Sequence, residues 1–218
     1  MLEPALKILL SYLLGSVIGA LWVGRVFGHV DIRKLGSGNA GGTNALRTQG
    51  WFFASLVVII DVGKGVLAAG WVPGLALPGM PSGATPWLPV ACAAAAVAGH
   101  VFPLYHGFRG GKGAATLAGA LFVIFWPALL VLAVTWLTCV SFTGFVGLAT
   151  MLGTVCAAAY TGFSLGIRTP VFVFMLLMAG FILWTHRSNI ARMIAGTENR
   201  TVKLMLLRPG YREDHGGE

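Results

Sequence analysis

Residues 114–143 read AATLAGALFVIFWPALLVLAVTWLTCVSFT, and how many times this apolar run crosses a bilayer decides the fold. Taken as one helix, its thirty residues would reach about 45 Å, against a hydrocarbon core of about 30 Å. The alternative is two shorter helices broken near Pro127, which removes a backbone donor from a helix interior. The first piece, 114–126, is then too brief to cross unaided and must tilt, re-enter or thin the bilayer locally.

The surrounding sequence calls for a membrane. Of 218 residues 56% are apolar and 10% charged, where a soluble domain carries about 25% charged residues; mean hydropathy is +0.81. The reading is an all-α, polytopic integral membrane protein. Further apolar stretches lie at about 4–28, 51–73, 86–104, 145–165 and 170–186. The first lacks a basic region ahead of its apolar core, so it is expected to be a retained span rather than a cleaved signal.

Charge placement sets the count. Arg33, Lys34 and Arg47 lie in the 29–50 loop, Arg109 and Lys112 in the 105–113 loop, and Arg187, Arg192, Arg200, Lys203, Arg208 and Arg212 after 186; the 74–85 loop carries no charge. Positive segments face the cytoplasm. A single span at 114–143 would leave the basic C-terminal segment outside, whereas splitting it gives a bundle of seven transmembrane helices. The N-terminus is then outside and the C-terminus cytoplasmic, at the expense of placing Arg168 outside. Residues 1–210 read as one membrane domain and 211–218 as a disordered cytoplasmic tail.

This topology gathers three polar runs on one face. The first, GSGNAGGTN at 36–44, offers backbone N–H groups and the side chains of Ser37, Asn39, Thr43 and Asn44, with Arg47 a turn beyond Thr43. It suits either a flexible connector or an anion cradle, the latter strengthened if a helix starts near Thr43 or Asn44. The second is HVFPLYHGFRGGKGAAT at 100–116. Its RGGKG is not a nucleotide P-loop, since Gly113 stands where a Ser or Thr would ligate magnesium and no strand precedes it. Arg109 and Lys112 are either interfacial anchors or, with Gly110 and Gly111, a turn that approaches a phosphate closely.

The third run, THRSNIARMIAGTE at 185–198, spaces His186, Asn189 and Arg192 three apart on one helical face. An interfacial helix with snorkelling Arg187 and Arg192 is the plainer alternative. Asp61 and Lys64, mid-span at i,i+3, read as a structural pair, with a proton or anion path as the second possibility. His100 reads as an interhelical hydrogen bonder.

Other chemistries lack support. Cys92, Cys139 and Cys156 sit in apolar stretches without metal-site spacing, so no metal and no disulfide framework are expected. No basic stripe with interleaved aromatics suggests nucleic acid. No serine sits in a nucleophile elbow, and Glu198, Glu213, Asp214 and Glu218 read as tail acids. No internal repeat supports a transporter.

With these runs in view, the sequence resembles the bacterial acyl-phosphate:glycerol-3-phosphate acyltransferases along nearly its whole length. GSGNAGGTNALR at 36–47, GHVFPLYHGFRGGKGAAT at 99–116 and HRSNIARMIAGTE at 186–198 carry the likeness, with softer matches in YLLGS at 12–16 and DVGKG at 61–65. The resemblance implies a seven-helix inner-membrane enzyme with a cytoplasmic site. It would move a fatty acyl group from acyl phosphate to the 1-hydroxyl of glycerol 3-phosphate, giving lysophosphatidic acid and phosphate, the first step of phospholipid synthesis.

It further implies an acyl-phosphate site at Ser37, Gly38, Asn39, Gly41, Thr43 and Asn44. Arg47, Lys112, His186 and Asn189 match positions that bind glycerol 3-phosphate or the reacting groups, and Gly110, Gly111 and Arg192 are added as substrate contacts. No cofactor and no covalent acyl-enzyme are expected, and a monomer working among membrane lipids suffices. Thioester-using acyltransferases often carry His-x4-Asp, which no histidine here begins. One departure stands out: the family often has Ser-x-x-Ser before its sixth helix, where this chain has Gly147-Leu-Ala-Thr150, leaving Ser141 or Thr143 as replacements.

Overall fold

The chain is described here by a computed structural model covering residues 2–80, 83, 85–202 and 205–206. The 211–218 tail, like Lys203, Arg208 and Arg212, lies outside the described residues. Among those described every regular element is helical: α1 (Leu2–Gly15), α2 (Gly19–Val26), α3 (Gly42–Gln49), α4 (Trp51–Val66), α5 (Leu88–Val101), α6 (Ala114–Ile124), α7 (Trp126–Thr143), α8 (Val146–Leu165), α9 (Pro170–Thr185) and α10 (Arg187–Ile194).

The deciding stretch is divided. α6 ends at Ile124, Phe125 is non-helical, and Pro127 sits in the first turn of α7, where its missing N–H costs nothing. α7 is 18 residues long, but α6 has only 11 and reaches about 17 Å. Among the described residues four helical segments are long and apolar enough to cross a bilayer: Trp51–Gly74 and Leu88–His106, in which further helical turns continue α4 and α5, and Trp126–Thr143 and Val146–Leu165. Counting two bent pairs as single spans raises the number to six. α9 bends by 51° into α10, while α1 bends by 47° into α2, so the 4–28 stretch read as one span is broken.

The Asp61 and Lys64 pair explains how that break is tolerated in an apolar interior. Asp61 Oδ1 accepts from Gly19 N at 3.1 Å, at the opening of α2, and Lys64 Nζ donates to Val17 O at 2.7 Å just past α1. The carboxylate thus meets the electropositive end of one helix and the ammonium the electronegative end of the other. The two lie 2.9 Å apart, both buried, and Lys64 also donates to His100 Nδ1 on α5 at 2.7 Å. This is the structural alternative, with His100 as the third partner.

Small residues bring the helices together. A Cβ on Gly119 would fall 3.1 Å from Val62 Cα, and one on Gly65 would fall 3.0 Å from Ala120 N, so α4 and α6 touch through reciprocal glycines. At the end opposite the polar loops, buried Glu3 and Lys7 pair within α1. Lys7 Nζ donates to Pro73 O at 2.7 Å and Glu3 Oε2 accepts from Gly83 N at 2.8 Å, which ties the first helix to the uncharged loop.

Candidate active site

Asn44 shapes the first polar run. It is buried in α3, its Oδ1 accepts from Ser37 N at 2.9 Å, and its Nδ2 donates to the Ile32 and Leu35 carbonyls at 3.0 Å each. Its amide is spent on the loop, so it positions the loop rather than offering a free contact. Gly36, with φ of +55°, makes the left-handed turn that lets the loop fold over it. The helix read as starting near Thr43 begins at Gly42. The hydroxyls of Ser37 and Thr43 and the Arg47 guanidinium have no protein partner among the described residues.

A chain of side chains crosses the other wall. Lys112 Nζ donates to Asn189 Oδ1, Asn189 Nδ2 donates to Glu198 Oε1 at 2.7 Å, and Arg192 Nε donates to Glu198 Oε2 at 2.6 Å. An ammonium only donates and a carboxylate only accepts, so the Asn189 amide has one orientation. Half-buried Lys112 is held down to about 8, by burial first and Arg192 second, with Glu198 pulling the other way.

His186 lies beyond the end of α9, where α10 turns away. Its Nδ1 is 2.8 Å from Ile182 O. A carbonyl only accepts, so Nδ1 carries the proton and Nε2 is the acceptor. Burial, then Lys112, pushes the imidazole down to about 4, against the Ile182 bond and Glu198. It is neutral at pH 7. Thr185 Oγ1, 3.0 Å from Ile182 O and 3.1 Å from Lys112 O, fastens the Lys112 loop to α9.

These walls enclose one cavity of about 680 Å³. Of the residues expected from sequence, Ser37, Asn39, Gly41, Thr43, Asn44, Arg47, Lys112, His186, Asn189 and Arg192 line it. Gly38, Gly110 and Gly111 do not. Gly38 N donates to Leu35 O at 3.0 Å, Gly110 N to Val101 O at 3.2 Å and Gly111 N to His100 O at 3.1 Å. The Gly110 and Gly111 N–H groups read as phosphate donors are therefore consumed in closing the turn onto α5, and that of Gly38 within its own loop. Trp51, Val58 and Ile59, all exposed on α4, continue the cavity outward as an apolar slot.

A polar head with an apolar exit toward the bilayer is what a water-soluble anion and a lipid chain need to meet. A profile described as glycerol-3-phosphate acyltransferase matches residues 5–196. The chain belongs to the glycerol-3-phosphate acyltransferase family. The family member from Zymomonas mobilis is 39% identical over 195 residues, covering 88% of this chain and 92% of the relative. That from Shouchella clausii is 40% identical, covering 90% and 95%. Among solved structures, PlsY (YgiH), described as an integral membrane glycerol 3-phosphate acyltransferase in its glycerol 3-phosphate form, superposes with a TM-score of 0.78. It is 29% identical and covers 90% of this chain and 94% of its own. Its lysophosphatidic acid form gives 0.76.

Within this acyltransferase several cavity residues were not foreseen. Glu198, grouped with the tail acids, is the bracket between Asn189 and Arg192; its place at the end of the HRSNIARMIAGTE run was the available signal. Thr150, rather than Ser141 or Thr143, reaches the cavity. Its hydroxyl donates to Val146 O at 2.9 Å and accepts from Trp136 Nε1 at 3.2 Å. Gly147 leaves room for Asn189, since a Cβ there would come within 2.8 Å of Nδ2. Asp61 and His100 also border the cavity while holding the α1–α2 break. Arg187, read as an interfacial anchor, donates from Nη1 to Trp184 O at 3.1 Å and its guanidinium lies 4.4 Å from the Trp184 ring.

Proposed function

We propose that this membrane acyltransferase takes its acyl group from acyl phosphate and delivers it to the 1-hydroxyl of glycerol 3-phosphate without a covalent acyl-enzyme. The observation that carries the reading is the cavity's two-sided lining. Ser37, Thr43 and Arg47 with free donors face one wall, Lys112, His186 and Arg192 the other, and an apolar slot leads away.

The hydroxyl oxygen attacks the acyl carbonyl carbon, the new ester C–O bond forms, and the C–O bond to phosphate breaks. The leaving group is already a good one, so the protein has to hold two anions close together and offset their repulsion. We assign the acyl phosphate to the Ser37–Asn44 loop. Glycerol 3-phosphate is assigned to Arg47, Lys112 and Arg192, its 2-hydroxyl donating to His186 Nε2 so that the attacking 1-hydroxyl keeps its proton for the phosphate. An imidazole near 4 is a weak base, whereas a phosphate oxygen has a second pKa of about 6. The hydroxyl proton therefore passes to the departing phosphate, and His186 positions the nucleophile.

The same reading places seven spans in the bacterial inner membrane, with the tilted α6 as the short one and α1–α2 as a single broken span. The N-terminus is then outside, and the site and C-terminus cytoplasmic, with residues 1–210 acting as one domain and a single copy sufficing. The basic loops around the cavity support that orientation. No cofactor enters the reaction. The test supplies purified protein with glycerol 3-phosphate and either palmitoyl phosphate or palmitoyl-CoA. Lysophosphatidic acid is expected from the acyl phosphate alone, and its formation only from the thioester would reject the donor assignment.

A further inference from the structure

A second groove, of about 300 Å³, lies at the same end of the bundle and shares no lining residue with the first. Trp22, Arg25 and His29 from the end of α2 and its following turn form one side, and Tyr105 and His106 the other. Arg33 also lines it but is occupied. Its Nε and Nη2 hold Asp31 at 3.0 and 2.9 Å, and its Nη1 donates to Arg109 O at 3.0 Å. The Arg25 guanidinium has no partner among the described residues. His29 lines the groove from a left-handed turn, φ +59°, a conformation that histidine, with asparagine and aspartate, takes up more readily than most residues. In the wall, His106 Nε2 is enclosed without a hydrogen-bond partner among the described residues.

Charge and surroundings identify the occupant. Asp31 cancels Arg33, so Arg25 leaves a net of about one positive charge, which matches a phosphodiester monoanion better than a free phosphate dianion. Trp22, Arg25 and Val26 fall on one stripe of α2, and the turn through Gly28 brings His29 to the same groove. Trp22 is 49% and Val26 73% exposed on that stripe. Aromatic and cationic side chains beside an outward apolar face are the composition of the headgroup level of a bilayer.

We infer that this groove is a binding site for the phosphodiester headgroup of an anionic phospholipid, separate from the reaction cavity. The headgroup accepts from Arg25 and His29, and its chains run down the Trp22–Val26 face of α2. Such a site would hold the enzyme's reaction end against anionic lipid beside the first polar loop.

The test is native mass spectrometry of the full chain with phosphatidylglycerol or phosphatidylcholine of matched chains. The wild-type protein is expected to retain phosphatidylglycerol about tenfold more tightly, a difference of about 1.4 kcal/mol. Arg25→Gln with His29→Gln should bring the two lipids to parity, and Arg25→Lys should preserve most of the preference. Arg187→Gln, removing an interfacial cation elsewhere, should leave it unchanged. Acyltransferase activity of the double variant verifies that it is folded, and Arg25→Gln alone is read if it is not. Parity in the wild type, or equal loss in Arg187→Gln, overturns the site. Displacement of phosphatidylglycerol by excess inorganic phosphate overturns the lipid as its occupant.

Discussion

Lys112, in the loop before α6, donates its ammonium to the side-chain carbonyl of Asn189 on α10, 77 residues away. This bond ties together two elements that line the proposed reaction cavity, and Glu198 behind Asn189 fixes its direction. A charge held at about 8 makes the contact sensitive to pH in a range where activity can be measured.

As pH rises through about 8, Lys112 loses its proton, the cavity loses a cation and kcat/KM should decline. Lys112→Arg keeps its charge beyond pH ~12, so the decline should move out of range even if absolute activity is lower. A decline left near pH 8 in that variant would show that another group causes it.

His186→Gln should raise the KM for glycerol 3-phosphate about tenfold, the worth of one hydrogen bond, and leave the limbs of the pH profile in place. Near-total loss of kcat at unchanged KM, with one limb removed, would instead make His186 the general base.

Asn44→Ala strips the first loop of its bonds to Ser37, Ile32 and Leu35. The expected cost is about 1–3 kcal/mol of local order, seen as faster proteolysis within 29–50 and weaker binding of both substrates. An unchanged cleavage rate would contradict the positioning role.

Gly119→Val should overpack the α4–α6 contact, at about 1–3 kcal/mol, and lower Tm in detergent by about 5 °C. Gly63→Ala, where a Cβ meets nothing within 4 Å, should leave Tm unchanged or raise it.

Most of the site could be read from sequence because its residues fall in three polar runs inside an apolar chain. The Pro127 break was legible for the same reason, since proline acts on its own backbone. What escaped depends on distant partners. Glu198 differs from Glu213 in sequence only by closing the third polar run, and its role shows once Asn189 and Arg192 are seen to face it. Gly110 and Gly111 looked like free donors because the carbonyls that take their N–H groups belong to the end of α5. The bend after Gly15 was hidden because Asp61 and Lys64, which satisfy it, lie on another helix.

The central claim is direct transfer between two anions held in one cavity, and single-turnover phosphate release tests it most directly. Enzyme mixed with palmitoyl phosphate alone should release no burst of phosphate and show no mass increase by an acyl group. Adding glycerol 3-phosphate should then release phosphate and form lysophosphatidic acid at the same rate. A stoichiometric burst before glycerol 3-phosphate is added, with an acylated protein in the mass spectrum, would contradict the account.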